Sequence, residues 1–157
     1  MTRRIHLFVL AVSLAAGACS GNDEMDLPTD PRPVQGVAGD PAQQRAVWEA
    51  KAIDYYRFAY SRVCFCMQRG TLRVTVRDGR VTDVRQVKTG LRVPREIWRE
   101  FLTVDDLFRA IAQAQERGQY TAVTFHPTLG YPVEAELGTL ADDSGVRHLL
   151  SGLTRID

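Results

Sequence analysis

Residues 55–66, which read Y-Y-R-F-A-Y-S-R-V-C-F-C, decide the fold of this chain. Aromatic and apolar side chains recur there at every second position, which is the period of a β-strand. Arg62 is the single interruption. One face of the predicted strand therefore carries Tyr56, Phe58, Tyr60, Cys64 and Cys66. Further apolar side chains fall on the second face, so the pattern indicates a strand at the centre of a sheet.

The amino-terminal residues 1–18 have the pattern of a secretory signal. Two arginines precede a short apolar run, and small residues follow it before Cys19. The run is shorter than the roughly 20 apolar residues that span a bilayer. The small residues before the cysteine resemble the lipobox of bacterial lipoproteins, which implies that Cys19 becomes an acylated amino terminus. An ordinary secretory signal, with Cys19 as a spare thiol, is the alternative.

Residues 19–40 predict a disordered tether. They are rich in proline, glycine and aspartate and have almost no large apolar side chain to bury. Such a segment would hold one folded domain, residues 41–157, off a membrane by its lipid anchor. Ser20 follows the cysteine where an aspartate would favour inner-membrane retention in Gram-negative bacteria. We therefore expect an exported protein of the cell envelope, at the outer membrane where the cell has one.

The first half of the domain predicts a helix and three strands. Asp40 and Pro41 have the pattern of a helix start. Beyond the strand at residues 55–66, alternating residues 72–77 run into Asp78-Gly79, a strong hairpin signal. The returning strand, residues 80–87, spaces its valines by three, which indicates a bulge or a twist.

The second half predicts a helix and two or three strands. Thr103 and Asp106 form a capping box before an apolar stripe of helical spacing. Two alternating runs, residues 120–126 and 131–137, follow with a glycine-containing turn between them. Residues 146–156 fit a strand or a short helix. The expected fold is α+β: one curved antiparallel sheet of five to six strands with two helices on one face, in the order α-β-β-β-α-β-β(-β).

Four short motifs carry a family resemblance. They are Y…C-F-C, V-x-V-x-x-G-x-V at residues 74–81, T-V-D-D-L-F at 103–108 and L-G-Y-P at 129–132. In this order they resemble the bacterial lipoproteins grouped as domain of unknown function 6174. The resemblance implies one lipidated domain and no established activity. This chain departs from the family pattern after Leu137, where Gly138 and Thr139 replace an acidic strand end.

The pair Cys64 and Cys66 allows four interpretations. An exported compartment favours a disulfide between them. Alternate residues of an extended strand have Cβ atoms about 6.6 Å apart, whereas a disulfide needs about 3.8 Å, so the strand would have to bend. The other interpretations are two buried thiols in the core, a thiol redox pair and a metal site.

No motif indicates catalysis, a cofactor or a metal ion. His126 stands alone beside a turn, and neither it nor His148 has ligand spacing to the cysteines. The chain has no nucleophile elbow and no phosphate-binding glycine loop. Asp142-Asp143 has too few oxygen ligands for a calcium loop. We expect no enzymatic activity, and no nucleic acid as partner outside the cell.

Charge divides the domain into a basic and an acidic part. Residues 57–100 include eleven basic and four acidic residues, whereas the chain from residue 101 onward includes four basic and eight acidic residues. Arg73, Arg77 and Arg85 are predicted to line the outward face of the sheet. Such a patch fits an anionic envelope component or an acidic exported protein. A solvated sheet face without a partner is the alternative.

Three functions follow as hypotheses. The first is a non-enzymatic, lipid-anchored binding or scaffold module of the envelope. The second is an envelope thiol-disulfide redox protein that uses Cys64 and Cys66. The third is an inhibitor or chaperone of another exported protein.

Overall fold

The computed structural model describes residues 34–65, 70–140 and 144–157. These residues form one open antiparallel sheet of six strands with two α-helices, in the order α-β-β-β-α-β-β-β, which confirms the predicted α+β fold. The predicted signal, Cys19, Cys66 and Asp142-Asp143 lie outside the described residues. Within the described part, no helix is long and apolar enough to cross a membrane.

The elements have the following bounds. The helices are α1 (Pro41–Glu49), a 3-10 helix (Arg95–Glu100) and α2 (Val104–Glu116). The strands are β1 (Tyr55–Val63), β2 (Leu72–Arg77), β3 (Arg80–Gln86), β4 (Thr121–Phe125), β5 (Pro132–Leu137) and β6 (Val146–Arg155). Their order across the sheet is β3-β2-β1-β6-β5-β4. Residues 55–63 thus form a central strand, as predicted, but the strand ends before Cys64. The undecided last segment is a strand that pairs with it.

The buried side of β1 organises the core. Tyr56, Phe58 and Tyr60 are each at most 2% exposed and contact one another in sequence, with ring centroids 5.9 and 6.4 Å apart. Trp48 of α1 packs edge-on against Tyr56, and Phe101 packs edge-on against Tyr60. Burying a side chain of this size contributes about 1.5–3 kcal/mol. The helices therefore cover the aromatic side of the sheet.

Both predicted helix caps are present in the structure. The Asp40 carboxylate accepts a hydrogen bond from the Gln43 amide at the start of α1. At the start of α2, the Thr103 hydroxyl accepts from the Asp106 amide, and the Asp106 carboxylate accepts from the Thr103 amide. Each interaction satisfies an amide that a helix terminus leaves without a partner. Each α-helix therefore begins directly after its capping residue, Asp40 for α1 and Thr103 for α2.

Turns and bulges also follow the predictions. Asp78 and Gly79 both have positive φ, 50° and 69°, in the hairpin between β2 and β3. The β2–β3 register shifts between Thr75 and Val76, which is the bulge expected from the valine spacing. A second shift places Phe125 opposite Pro132, where β5 begins with a residue that lacks an amide donor.

Candidate functional site

The sheet has one face that no described helix covers, and we call it the open face. Side chains alternate along β1, so Arg57, Ala59 and Ser61 point away from the buried Tyr56, Phe58 and Tyr60. The partners of these three in β2 and β6 share that face. The open face is consequently polar, with small side chains along its central strands.

Two adjoining cavities form a groove along the open face. The first has a volume of about 350 Å³, and its floor includes Ser61, Leu149 and Ser151. The second has a volume of about 320 Å³ and is lined by Arg57, Phe58, Ala59, Arg73, Val87, Gly152 and Thr154. Ala59 and Val87 line both cavities, so the two adjoin. The first part of the groove is mostly apolar but also includes Glu134. The second part is basic.

A bulge in β6 shapes the basic part. Arg57 pairs with Thr154 and Ala59 pairs with Ser151, so two residues of β6 stand opposite Phe58 alone. One of the two is Gly152, whose φ of 58° is in the region that favours glycine. Gly152 has no side chain, so the bulge leaves open space beside Ala59.

Arg57 and Arg73 are the charged residues of this groove part. Arg57 stands opposite Thr75 and Arg73 opposite Ala59, so the two arginines are diagonal neighbours on adjacent strands. Both side chains are exposed. Among the described residues, no carboxylate forms an ion pair with either of them. The two guanidinium groups therefore face one cavity with no acidic partner among the described residues, and guanidinium groups are suited to hydrogen-bond anions.

The other arginines predicted for this face already have neighbours. Arg85 lies directly opposite Arg73, and its Nε donates to the Asp83 carboxylate at 2.8 Å. Arg77 lies 4.0 Å from the Asp78 carboxylate, and its guanidinium stacks over the Tyr55 ring, 5.1 Å from the centroid. The structure thus places all three predicted residues on the open face, but Arg73 alone lines the groove.

On the other half of the open face, Arg147 of β6 is paired with two glutamates of β5. Arg147 of β6 lies 2.7 Å from the Glu136 carboxylate and 3.4 Å from that of Glu134, both on β5. The hydrogen bond to Glu136 raises the pKa of Arg147. Arg147 is therefore paired, whereas Arg57 and Arg73, which have no acidic partner in the described part of the chain, lie on β1 and β2.

Tyr60 and His148 form a second polar feature, on the buried side of the sheet. Their side chains are 2% and 5% exposed, and the Tyr60 hydroxyl lies 2.8 Å from His148 Nδ1. Burial, with a smaller effect of the Arg62 charge, lowers the pKa of His148 to about 4. Sequence reasoning missed this pair because the pattern of residues 146–156 did not decide between strand and helix. The imidazole is neutral and satisfied, which fits a structural role.

His126, the other weak candidate, holds a turn. Its Nδ1 accepts hydrogen bonds from the amides of Thr128 and Leu129 at 3.2 and 3.1 Å. The ring also stacks on Tyr131, with centroids 5.1 Å apart. Burial lowers the pKa of His126. These contacts fix the β4–β5 connection and leave Nδ1 occupied.

The cysteine region is described in part. Cys64 follows directly on β1 and is half buried. Its predicted partner Cys66 lies outside the described residues, so the disulfide and the redox hypothesis both stay predictions. No group of three or more His, Cys, Asp or Glu side chains that could hold a metal ion occurs in the described parts of the chain.

Comparison with known proteins gives one match. A family model described as a family of unknown function, DUF6174, matches residues 40–152. Neither the curated proteins nor the solved structures contain a match.

Proposed function

Because the chain belongs to DUF6174, a family of unknown function, we propose its function from its surface: a non-enzymatic, lipid-anchored binding module of the cell envelope. The proposed ligand is an anionic component of the envelope that binds in the open-face groove. The observation that supports this proposal is that Arg57 and Arg73 line one cavity and have no acidic partner among the residues that the structure describes.

The electrostatics of the groove support a ligand rather than a structural role. Like charges directly opposite each other in a sheet are destabilising by a few tenths of a kcal/mol to about 1 kcal/mol. Arg73 and Arg85 are such a pair. Asp83 compensates Arg85, and no described carboxylate compensates Arg73. A phosphate, sulfate or carboxylate group in the groove would supply the missing negative charge.

The predicted lipid anchor at Cys19 supports a location in the cell envelope. The signal pattern before Cys19 and the polar residues that follow it fit export and acylation. Replacing Cys19 with serine is expected to move the protein from the membrane fraction to the soluble fraction of the envelope. A Cys19→Ser protein that still sediments with membranes would contradict the anchor.

Binding is tested with heparin as a soluble anionic probe. The chain from residue 19 onward, carrying Cys19→Ser, is expected to bind heparin with an affinity that falls as salt rises. Arg57→Gln/Arg73→Gln should elute from immobilised heparin at lower salt. Lys51→Gln/Arg117→Gln is the matched control, because it removes the same charge from exposed positions beside the helices. Equal elution of both double variants would reject the groove as the site.

A further inference from the structure

We infer that the open face lies against the membrane that holds the lipid anchor, and that the anionic headgroups of its phospholipids occupy the Arg57 and Arg73 groove. This inference rests on the proposed function and names its ligand. Three features support it. They are the point where the tether reaches the domain, the arginines without a described acidic partner and the exposed apolar side chains of the same face.

The tether reaches the domain on the open face. Val34, the first described residue, lines the apolar part of the groove together with Ser61 and Ser151. Val37 then pairs with Phe125 through two backbone hydrogen bonds of 2.8 Å. Val34 therefore lies on the open face, and Val37 lies at the edge of the sheet beside β4.

Gly36 makes this attachment close. A Cβ atom at position 36 would lie 2.4 Å from Thr124 Oγ1 and 2.6 Å from Val133 Cγ2, both far too short. Only glycine therefore lets the segment pack this tightly on the sheet. Gly36 is thus held against β4 and β5.

Tether length alone does not select a face. Cys19 and Val34 are fifteen residues apart, so the segment reaches at most about 50 Å when fully extended. A domain of this size has a radius of gyration of about 13 Å. Either face could therefore rest on the bilayer, and the choice falls to the chemistry of the two surfaces.

The open face has the chemistry of a membrane-binding surface. On β1–β3 it carries Arg57, Arg73, Arg77 and Arg85 against Asp83. Basic residues near an anionic bilayer contribute attraction that a single lipid anchor complements. Val87 lines the groove and is 41% exposed, and Val63 is 38% exposed at the end of β1. Phe65, two residues further, is 75% exposed.

The helix side lacks this combination. Around α2, Asp105 and Asp106 occupy the first turn, and Arg109 is paired with Asp106. On α1, Arg45 is paired with Glu49 at 2.8 Å. Lys51 and Arg117 are also exposed beside the helices, close in sequence to Glu49 and Glu116, so charges of both signs are mixed on this side. On the open face, Arg57 and Arg73 instead line one cavity with no acidic partner among the described residues. This concentration of positive charge favours the open face.

The test places the acylated protein on nanodiscs that contain phosphatidylglycerol and a lipid with a nitroxide headgroup. Amide signals of Arg57, Arg73 and Thr75 should broaden, whereas those of Gln113 on α2 should not. Nanodiscs of phosphatidylcholine alone should lose this difference. Equal broadening of both sides, or stronger broadening of α2, would overturn the inference.

Partitioning of the chain without its acyl group gives the second measurement. Removing two basic residues at about 1 kcal/mol each corresponds to about 30-fold weaker binding to phosphatidylglycerol vesicles. Arg57→Gln/Arg73→Gln should show this loss, and Lys51→Gln/Arg117→Gln should bind as the unmodified sequence does. If the groove variant loses heparin binding but keeps vesicle binding, the proposed function stands and the membrane is not its ligand. If it keeps both, the two proposals fail together.

Discussion

Acidification is expected to destabilise the protein through the buried pair Tyr60 and His148. Burial, and then the charge of Arg62, lowers the pKa of His148 from 6.5 to about 4. Burial raises the pKa of Tyr60 to about 12, so its hydroxyl keeps its proton. At neutral pH the neutral imidazole and the hydroxyl share a hydrogen bond of 2.8 Å at Nδ1. A second proton on the ring would place a positive charge inside the core.

The sign and the size of the pH effect on stability follow from the pKa values of His148 in the unfolded and the folded states. The unfolded chain, with a pKa of 6.5, binds the proton more tightly than the folded protein does. The stability that His148 contributes is therefore complete above about pH 6.5, falls as the pH decreases and is lost below about pH 4. At about 1.4 kcal/mol per pKa unit, the whole effect is about 3 kcal/mol. About 2.5 kcal/mol of it should be lost by about pH 4.5.

Urea unfolding measures this loss. The fluorescence of the buried Trp48 and Trp98 reports the transition. Tyr60→Phe/His148→Leu removes both polar groups, so this variant should lose about 2.5 kcal/mol less than the original sequence between about pH 7.5 and about pH 4.5. Tyr60→Phe alone leaves Nδ1 without its hydrogen-bond partner and should cost about 1–3 kcal/mol at neutral pH.

The double variant is the internal control for other titrating groups. Burial also lowers the pKa of His126, which therefore adds acid sensitivity of the same sign in both proteins. The reasoning about His148 is refuted if the double variant is as acid-sensitive as the original sequence. A His148 resonance that titrates near the ordinary pKa of 6.5 would refute it equally.

Three further predictions concern the second helix and the cysteines. Thr103→Ala removes the hydroxyl that caps α2 and should lower the free energy of unfolding in urea by about 1 kcal/mol. Tyr56→Phe removes the hydroxyl that accepts from the Val104 amide at 3.2 Å and should cost about 1–3 kcal/mol, because that amide is buried. A cost near zero in either variant would contradict the assigned hydrogen bond. Cys64 and Cys66 should form a disulfide in the exported protein, with a mass two hydrogen atoms below that of the dithiol; alkylation of both cysteines without reductant would reject it.

The sequence predicts best those parts of the fold that local chemistry decides. Thr103 and Asp106 satisfy each other within one turn, so a capping box can be read directly from the residues. Asp78 and Gly79 adopt positive φ within a two-residue hairpin for the same local reason. The alternation of β1 also identifies its buried side, because the period of a strand is fixed.

The groove and the buried imidazole depend on contacts between distant parts of the chain. β6 pairs with β1, so Arg62 stands opposite His148, 86 residues later. No hairpin signal specifies such a pairing, and its register follows from packing of the whole sheet. The Gly152 bulge, which opens the groove beside Arg57, depends on that register. Arg57 was therefore counted among the basic residues of the sequence but not assigned to the candidate site.

The two sides of the sheet differ in how fully their polar and charged side chains are paired. Among the described residues, no buried side-chain nitrogen or oxygen lacks a hydrogen-bond partner, so the aromatic side retains the full benefit of its packing. The open face instead keeps Arg73 opposite Arg85 and unpaired, which costs free energy in the folded state. An anion bound at Arg57 and Arg73 would remove that repulsion and would stabilise the fold in proportion to its occupancy. An anion that binds the folded state alone would raise the stability of the domain by an amount that depends on its affinity and its concentration.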